Sequence, residues 1–271
     1  MNYVQVQVNS TDTEQHELLI ALLADTGFEG FEETGTALMA FIKEAEFNKA
    51  ALDEVIASLN LNYTSSVIPR QNWNAKWESS FEPVIVNDFA SVRAAFHPPV
   101  KNVRHEIIIT PKMSFGTGHH ATTFLMMGQM ADLDLAGKTV LDFGTGTAVL
   151  AILAEKMGAA DVDAIDNDDW SIENSKENIK ANDSSAITLH KADTIQAGKT
   201  YDIILANINL NVILANLAAI VKVSRTGTLV LLSGFLKDDE ATLSEKLSVY
   251  DISLARTVQK GEWICILIRV N

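Results

Sequence analysis

Val140-Leu141-Asp142-Phe143-Gly144-Thr145-Gly146 carries an apolar strand into a glycine turn, and a further apolar stretch from Val149 follows as a helix. Glycine in such a turn lets the backbone approach a ligand closely. Ligands of open α/β sheets bind at the carboxyl ends of the strands, so topology alone makes this turn a site candidate. It is not the dinucleotide fingerprint, which asks for glycine or alanine where Val149 stands. A nicotinamide dinucleotide is therefore disfavoured.

Downstream, strands alternate with helices. The expected strands are Thr139–Phe143, Val162–Ile165, Ile187–His190, Tyr201–Ala206 and Thr228–Ser233, with helices near Val149–Met157, Asp169–Ala181 and Leu210–Lys222. That alternation implies a parallel sheet covered on both faces. Two last strands, Ile252–Val258 and Trp263–Val270, turn at Lys260-Gly261 and place one antiparallel strand in an otherwise parallel sheet. The hairpin separates a methyltransferase sheet from an ordinary dinucleotide-binding one.

Two strand ends carry candidate ligand contacts. Asp166 ends the second strand, where a carboxylate accepts hydrogen bonds from both ribose hydroxyls of an adenosine ligand. Its alternative role, capping the next helix, is already filled by Asp168 and Asp169. Asn207 follows the fourth strand, which neighbours the first, and so faces the reactive end of a cofactor. Its amide oxygen can hold the hydrogens of an amine without supplying a charge that would protonate it. Capping the next helix is a compatible second role for Asn207.

Upstream of the turn lies Ser114-Phe115-Gly116-Thr117-Gly118-His119-His120-Ala121-Thr122-Thr123. A glycine-rich loop before a helix can wrap a ligand, with Thr122 or Thr123 supplying hydroxyl or N–H groups. No Gly-Lys-Ser/Thr follows, so it is no P-loop. No cysteine or carboxylate pattern completes a metal site around the paired histidines, and no metal is expected. Ser–His–Asp hydrolysis lacks a nucleophile elbow.

The front of the chain differs in kind. Tyr3–Val8 alternates as a half-buried strand. Thr11 or Asp12 can cap a helix with Leu18, Leu19, Leu22 and Leu23 on one face, which Gly27 ends. Phe28–Glu33 and Ala37–Ile42, separated by Gly35, read as strands. A helix over 48–59 carries Leu52, Val55, Ile56 and Leu59, and Tyr63–Ile68 is a final strand. The order β-α-β-β-α-β predicts a small ferredoxin-like α+β domain. It has no visible catalytic cluster, so docking is its simplest role. The expected division is a recognition domain over 1–68, a linker over 69–82 and a larger domain over 83–271. In the linker, Asn72-Trp73-Asn74-Ala75-Lys76-Trp77 sets two tryptophans on one helical face. Pro83–Phe96 and His105–Thr110 look like short strands leading into the large domain.

Composition bounds the setting. The 271 residues carry a net charge of −14, and residues 1–66 alone hold eleven acids against two bases, a net −9. Such a surface repels phosphate backbones and attracts basic partners, or else serves solubility alone, and charge by itself does not decide between the two. No apolar run approaches the roughly 18–20 residues of a membrane span, and the start Met1-Asn2-Tyr3-Val4 is not a signal peptide. The single cysteine, Cys265, sits in the apolar run Trp263–Val270 and is expected in the core, which fits a reducing compartment. A cytoplasmic monomer without membrane or nucleic-acid partners is the expectation.

Four segments, taken together and in this order, resemble the PrmA family, the methyltransferases of large-subunit ribosomal protein L11. They are the Phe-Gly-Thr-Gly-x-His-x-Thr-Thr loop (Phe115–Thr123), Asp-x-Gly-x-Gly (Asp142–Gly146), the acid Asp166, and the strand end Ala206–Asn209. Asn72–Trp77, Leu232-Ser233-Gly234 and Gly261-Glu262-Trp263 add to the likeness. The resemblance implies an α/β class I fold that binds S-adenosylmethionine (SAM), with Thr123, Gly144, Asp166 and Asn207 as SAM contacts. From its strand-end position Asn207 is also the expected catalytic residue, aligning the amine with no dedicated general base. The resemblance further implies that the acidic N-terminal domain grips L11, free or on the large subunit, and that lysine side chains and the α-amino group are trimethylated. The chain departs from the family pattern at His119, Ala121, Thr145, Ala148 and Asn209. A small Ala148 should still let the helix pack closely, whereas the loop changes bear on loop shape. Rival readings are a SAM-dependent methyltransferase of another protein, or a SAM-binding adaptor without catalysis. Glutamine-specific enzymes carry Asn-Pro-Pro-aromatic where Asn207-Ile208-Asn209-Leu210 stands, and an RNA substrate is disfavoured by the acidic front domain.

Overall fold

The computed structural model describes residues 2–10, 13–34, 36–68, 82–112 and 118–271. Thr11, Asp12, Gly35, the tryptophan pair of Asn72–Trp77 and Ser114–Thr117 lie outside the described residues. The chain divides into two compact units, Met1–Ser80 and Phe81–Asn271.

In the first unit, β1 (Tyr3–Asn9), α1 (Thr13–Asp25), β2 (Gly30–Thr34), β3 (Ala37–Lys43), α2 (Lys49–Ser58) and β4 (Tyr63–Ile68) follow in the expected order. The sheet order is β2-β3-β1-β4, antiparallel throughout. Alternation in β1 buries Val4, Val6 and Val8 against Leu19 and Leu23 of α1 and Leu52 and Ile56 of α2. Leu18, expected on the same stripe, is 48% exposed instead. Leu19 and Leu23, four apart, already fill the stripe, and Leu18 is turned about 100° away from Leu19. Past Gly27, at φ 97°, the N–H of Phe28 reaches back to the Leu23 carbonyl at 3.2 Å, closing the helix as a Schellman motif.

The second unit opens with β5 (Val84–Val86), β6 (Ala90–Ala94) and β7 (His105–Ile109), a separate three-stranded sheet of order β5-β6-β7. The pair β6–β7 is parallel without an intervening helix. A partly buried ion pair tethers the connection: Arg93 reaches Glu106 at 2.9 Å and the His97 carbonyl at 3.0 Å, while Glu106 accepts from the Val100 N–H at 2.7 Å.

Then come α3 (Ala121–Met130), β8 (Thr139–Phe143), α4 (Val149–Lys156), β9 (Asp161–Asp166), α5 (Asp169–Ala181), β10 (Ile187–Lys191), β11 (Tyr201–Asn207), α6 (Leu210–Lys222), β12 (Ser224–Leu236), α7 (Glu240–Leu247), β13 (Ile252–Lys260) and β14 (Trp263–Val270). The large sheet runs β10-β9-β8-β11-β12-β14-β13. It is parallel up to β12, and β14 is antiparallel to both its neighbours.

Alternate residues of these strands face two cores. Ile203, Leu205, Leu231, Cys265 and Leu267 pack toward α3, α4 and the small sheet. Ile204, Ala206, Leu232, Ile264 and Ile266 pack toward α6 and α7. Both faces being covered, the central strands read as continuous apolar runs. Cys265 is fully buried beside Met126, and burial pushes its thiol up to about 12. Two amides, Asn178 of α5 and its C-cap Asn182, close the free edge of β7: Asn178 accepts from the Thr110 N–H at 2.7 Å, and Asn182 accepts from the Ile108 N–H at 2.9 Å while donating to its carbonyl at 2.6 Å. Among the described residues no helix is long and apolar enough to cross a membrane.

Candidate functional site

The carboxyl ends of the parallel strands open into a cavity of about 520 Å³, within the range of small-molecule sites. Its lining follows the strand order. Ala192 and Asp193 lie beyond β10, Asp166 and Asn167 at β9, Gly144 and Gly146 at β8, Asn207 and Ile208 at β11, Gly234 in β12, and Trp263 opens β14. At about 4.8 Å per strand, five steps make a trough on the order of 24 Å long. A ligand lying in it meets residues in that order.

The turn after β8 is held from several sides. The N–H groups of Gly144 and Thr145 both donate to the Ile165 carbonyl, at 2.8 and 2.9 Å. A Cβ on Gly144, whose φ is 76°, would overlap the Ile208 side chain. The buried Asp142 carboxylate accepts from the Thr145 hydroxyl at 2.6 Å and from the Ala151 N–H at 3.1 Å. It thereby ties the turn to the first turn of α4, whose N-cap residue Ala148 offers no side-chain acceptor. Burial pushes the Asp142 carboxyl up to about 7. From α5, Ser175 donates to the Gly146 carbonyl at 2.7 Å and Asn178 to the Thr147 carbonyl at 2.9 Å. Ala148 is fully buried at φ 62°. The departure from glycine there is one of backbone conformation as well as packing, since the left-handed region costs an L-residue about 1–2 kcal/mol.

Asp166 lines the trough as its strand-end position predicts. Its Oδ2 accepts from the Gly146 N–H at 2.8 Å and its Oδ1 from the Asp168 N–H at 3.1 Å. Each carboxylate oxygen keeps a further lone pair. The cap of α5 is Asp168, which accepts from the Ser171 N–H at 2.8 Å, so Asp166 is not spent as one. Asn209 likewise caps α6, accepting from the Val212 N–H at 3.0 Å. This accounts for asparagine where the family pattern has leucine, and it leaves Asn207 without the capping role.

Asn207 is 9% exposed, and its Nδ2 donates to the Thr123 hydroxyl at 3.2 Å. Its Oδ1 is buried with no hydrogen-bond partner among the described residues. Thr123, expected at the ligand, is fully buried and does not line the trough; its described contact is the Asn207 amide. Gly144 and Asp166 do line it. Phe115, Gly116 and Thr117 of the upstream loop lie outside the described residues. His119 sits 2.8 Å from the Glu82 carbonyl, whereas His120 caps α3 and lines the trough.

Sequence reasoning missed Asp193, Gly234 and the inward faces of His120 and Trp263. Asp193 follows β10, so the same strand-end rule that selected Asp166 selects it. Trp263 gave no such signal, because β14 enters the site by its amino end.

A model of the family described as ribosomal protein L11 methyltransferase (PrmA) matches residues 2–271. A ribosomal protein L11 methyltransferase from Porphyromonas gingivalis is 40% identical over 256 residues, 92% of this chain and 88% of that protein. One from Chlorobaculum parvum is 40% identical over 271 residues, 95% and 93% of the two chains. The crystal structure of a ribosomal protein L11 methylase from Lactobacillus delbrueckii subsp. bulgaricus superposes with a TM-score of 0.66 at 26% identity, covering 70% of this chain and all of that one. A methyltransferase sheet with its antiparallel β14, a strand-end trough and a match along almost the whole length agree: this chain belongs to the PrmA family of ribosomal protein L11 methyltransferases.

Proposed function

We propose that the chain transfers methyl groups from SAM to amines of ribosomal protein L11, both lysine side chains and the α-amino group. One observation carries the amine reading: the Asn207 Oδ1, a buried and unpartnered acceptor, at the trough wall. A buried carbonyl left unmatched costs about 1–3 kcal/mol, and an amine N–H on the acceptor removes that cost.

The residues present fit SAM. Asp166 has free lone pairs for ribose hydroxyls, the Gly144–Gly146 turn allows close backbone approach, and Phe143, Ile165 and Ile208 supply apolar walls. When bound, SAM supplies an electrophilic methyl group on a good leaving group. The protein's own task is then positioning, which is worth on the order of 7–11 kcal/mol in favourable cases. Thr123 holds the Nδ2 of Asn207, so the Oδ1 is left to accept from the acceptor amine and align its lone pair. The amine must be neutral, whereas a free lysine has a pKa near 10.4 and an α-amine about 7.7–8. Removal from water into an apolar trough lowers an amine pKa. Asn207 adds no charge to counter that, and the proton leaves to solvent. The acidic residues 1–66 supply the attraction for a basic protein substrate.

Purified ribosomal proteins incubated with the full chain and labelled SAM test the reading. The expected result is label on L11, on lysine and N-terminal amines, with Asn207→Ala slowed about tenfold to a hundredfold at saturating SAM. Label on no ribosomal protein overturns the substrate, and wild-type turnover by Asn207→Ala overturns the aligning role.

A further inference from the structure

Two aromatic rings stand at the end of the trough beyond Asn207, and methyl transfer as derived above gives them no part. Trp263 and His120 both line the cavity, with ring centroids 4.5 Å apart and planes inclined at 72°.

The register explains why they share the space with Asn207. Asn207 pairs with Ser233, and Ser233 with Cys265, so Asn207 and Cys265 occupy one row across β11, β12 and β14. Cys265 packs on Met126 of α3, and Asn207 bonds to Thr123 of the same helix. Trp263 precedes Cys265 by two residues on β14, so its side chain points to that same face. His120 is the N-cap of α3, with Nδ1 held 2.8 Å from the Thr122 hydroxyl. The amide, the indole and the imidazole therefore converge above the first turn of α3.

The charges in the trough are placed unevenly. Its carboxylates, Asp166 and Asp193, belong to the β9 and β10 end. At the β14 end the lining offers rings and amides. The fold seats one ammonium on a ring close by: the Lys260 Nζ lies 3.5 Å from the Phe124 ring centroid, and Lys260 is the strand partner of Trp263. An aromatic face attracts a cation, tryptophan most strongly, and the attraction grows when the site is desolvated. A methylated ammonium has few or no N–H groups left for the Asn207 Oδ1, but its methyl hydrogens carry the positive charge and can rest on a ring.

We infer that Trp263 and His120 form a subsite for the alkylammonium head of the methyl acceptor, taking quaternary and partly methylated ammonium groups on their ring faces beside Asn207. This rests on the amine reading of the site and deepens it: the acceptor class is an aliphatic amine whose methylated product still fits.

Choline and its neutral isostere 3,3-dimethylbutan-1-ol serve as probes. Their dissociation constants are measured by ligand-observed NMR on the full chain with excess S-adenosylhomocysteine. The wild type is expected to prefer choline about tenfold, Trp263→Phe to keep a preference, and Trp263→Leu to abolish it. The ratio does not depend on the folded fraction, so a partly unfolded variant still reads out. Equal affinities in the wild type, or an undiminished preference in Trp263→Leu, overturns the subsite. A choline preference together with no label on L11 leaves the subsite standing and overturns only the substrate assignment.

Discussion

Gln129 of α3 is 2% exposed, and neither end of its amide has a partner among the described residues. Each unsatisfied buried group costs about 1–3 kcal/mol, and methionine has a similar volume. Gln129→Met is therefore expected to raise stability by on the order of 2 kcal/mol in urea titrations. A loss instead would place an ordered water on the amide. Asp142 offers a second test. Its folded-state pKa is raised from 3.8 to about 7, so between those values the folded chain binds more protons than the unfolded one. Stability from this group is then greatest below about pH 4, falls by roughly 1.4 kcal/mol per unit as pH rises toward 7, and levels off above. Asp142→Asn keeps an oxygen for Thr145 and Ala151 but does not titrate. The stability of the wild type relative to the variant should therefore fall by roughly 1.4 kcal/mol per unit between pH 5 and 7, and a constant difference would refute the assignment.

At the scale of elements, the strands of the large sheet were legible because burial on both faces writes continuous apolar runs, and the site followed from asking which residues end them. Asp166 and Asn207 emerged that way. The helix α7 did not, because it is short and polar and buries only Leu243 and Leu247. The parallel pair β6–β7 was equally hidden, since the Arg93–Glu106 ion pair that tethers its connection joins residues thirteen apart with no periodic signal. Thr123 came from the family resemblance as a SAM contact rather than from a strand end, and in the fold its hydroxyl accepts from the Asn207 amide. The bulge of β12 at Gly234 is a third feature that only pairing reveals, with Ser233 opposite Cys265 and Phe235 opposite Ile264. Gly234 has φ 97°, and a Cβ there would press on the Ile208 backbone, within 2.8 Å of its nitrogen. Gly234→Ala is expected to cost about 3 kcal/mol, from left-handed strain plus overpacking, and to lower kcat by displacing Asn207. Gly261→Ala, at φ 59° with nothing within 4 Å, is the control. It should cost about 1 kcal/mol and leave kcat unchanged, and similar losses in both variants would remove the special role of the bulge.

For the whole molecule, charge is segregated along the chain. Residues 1–66 carry −9 of the total −14, while the trough and its named residues lie in the second unit. Capture of a basic protein and methyl transfer should then respond to different perturbations. Glu17, Asp25, Glu32 and Glu54 are exposed, so replacing all four by their amides changes charge with little effect on folding, within about 0.5 kcal/mol each. Long-range attraction between exposed charges is screened within about 8 Å at physiological salt. In the wild type, KM for a basic protein substrate should therefore rise steeply from low to high salt, with kcat nearly constant. The fourfold amide variant should show a KM raised about tenfold or more at low salt and a flatter salt dependence. Its affinity for SAM should be unchanged, because the adenosine contacts proposed at Gly144 and Asp166 belong to the other unit. Steady-state kinetics at several ionic strengths read all three quantities. A parallel salt response in wild type and variant would show that the acidic surface serves solubility and that capture of the substrate is built elsewhere.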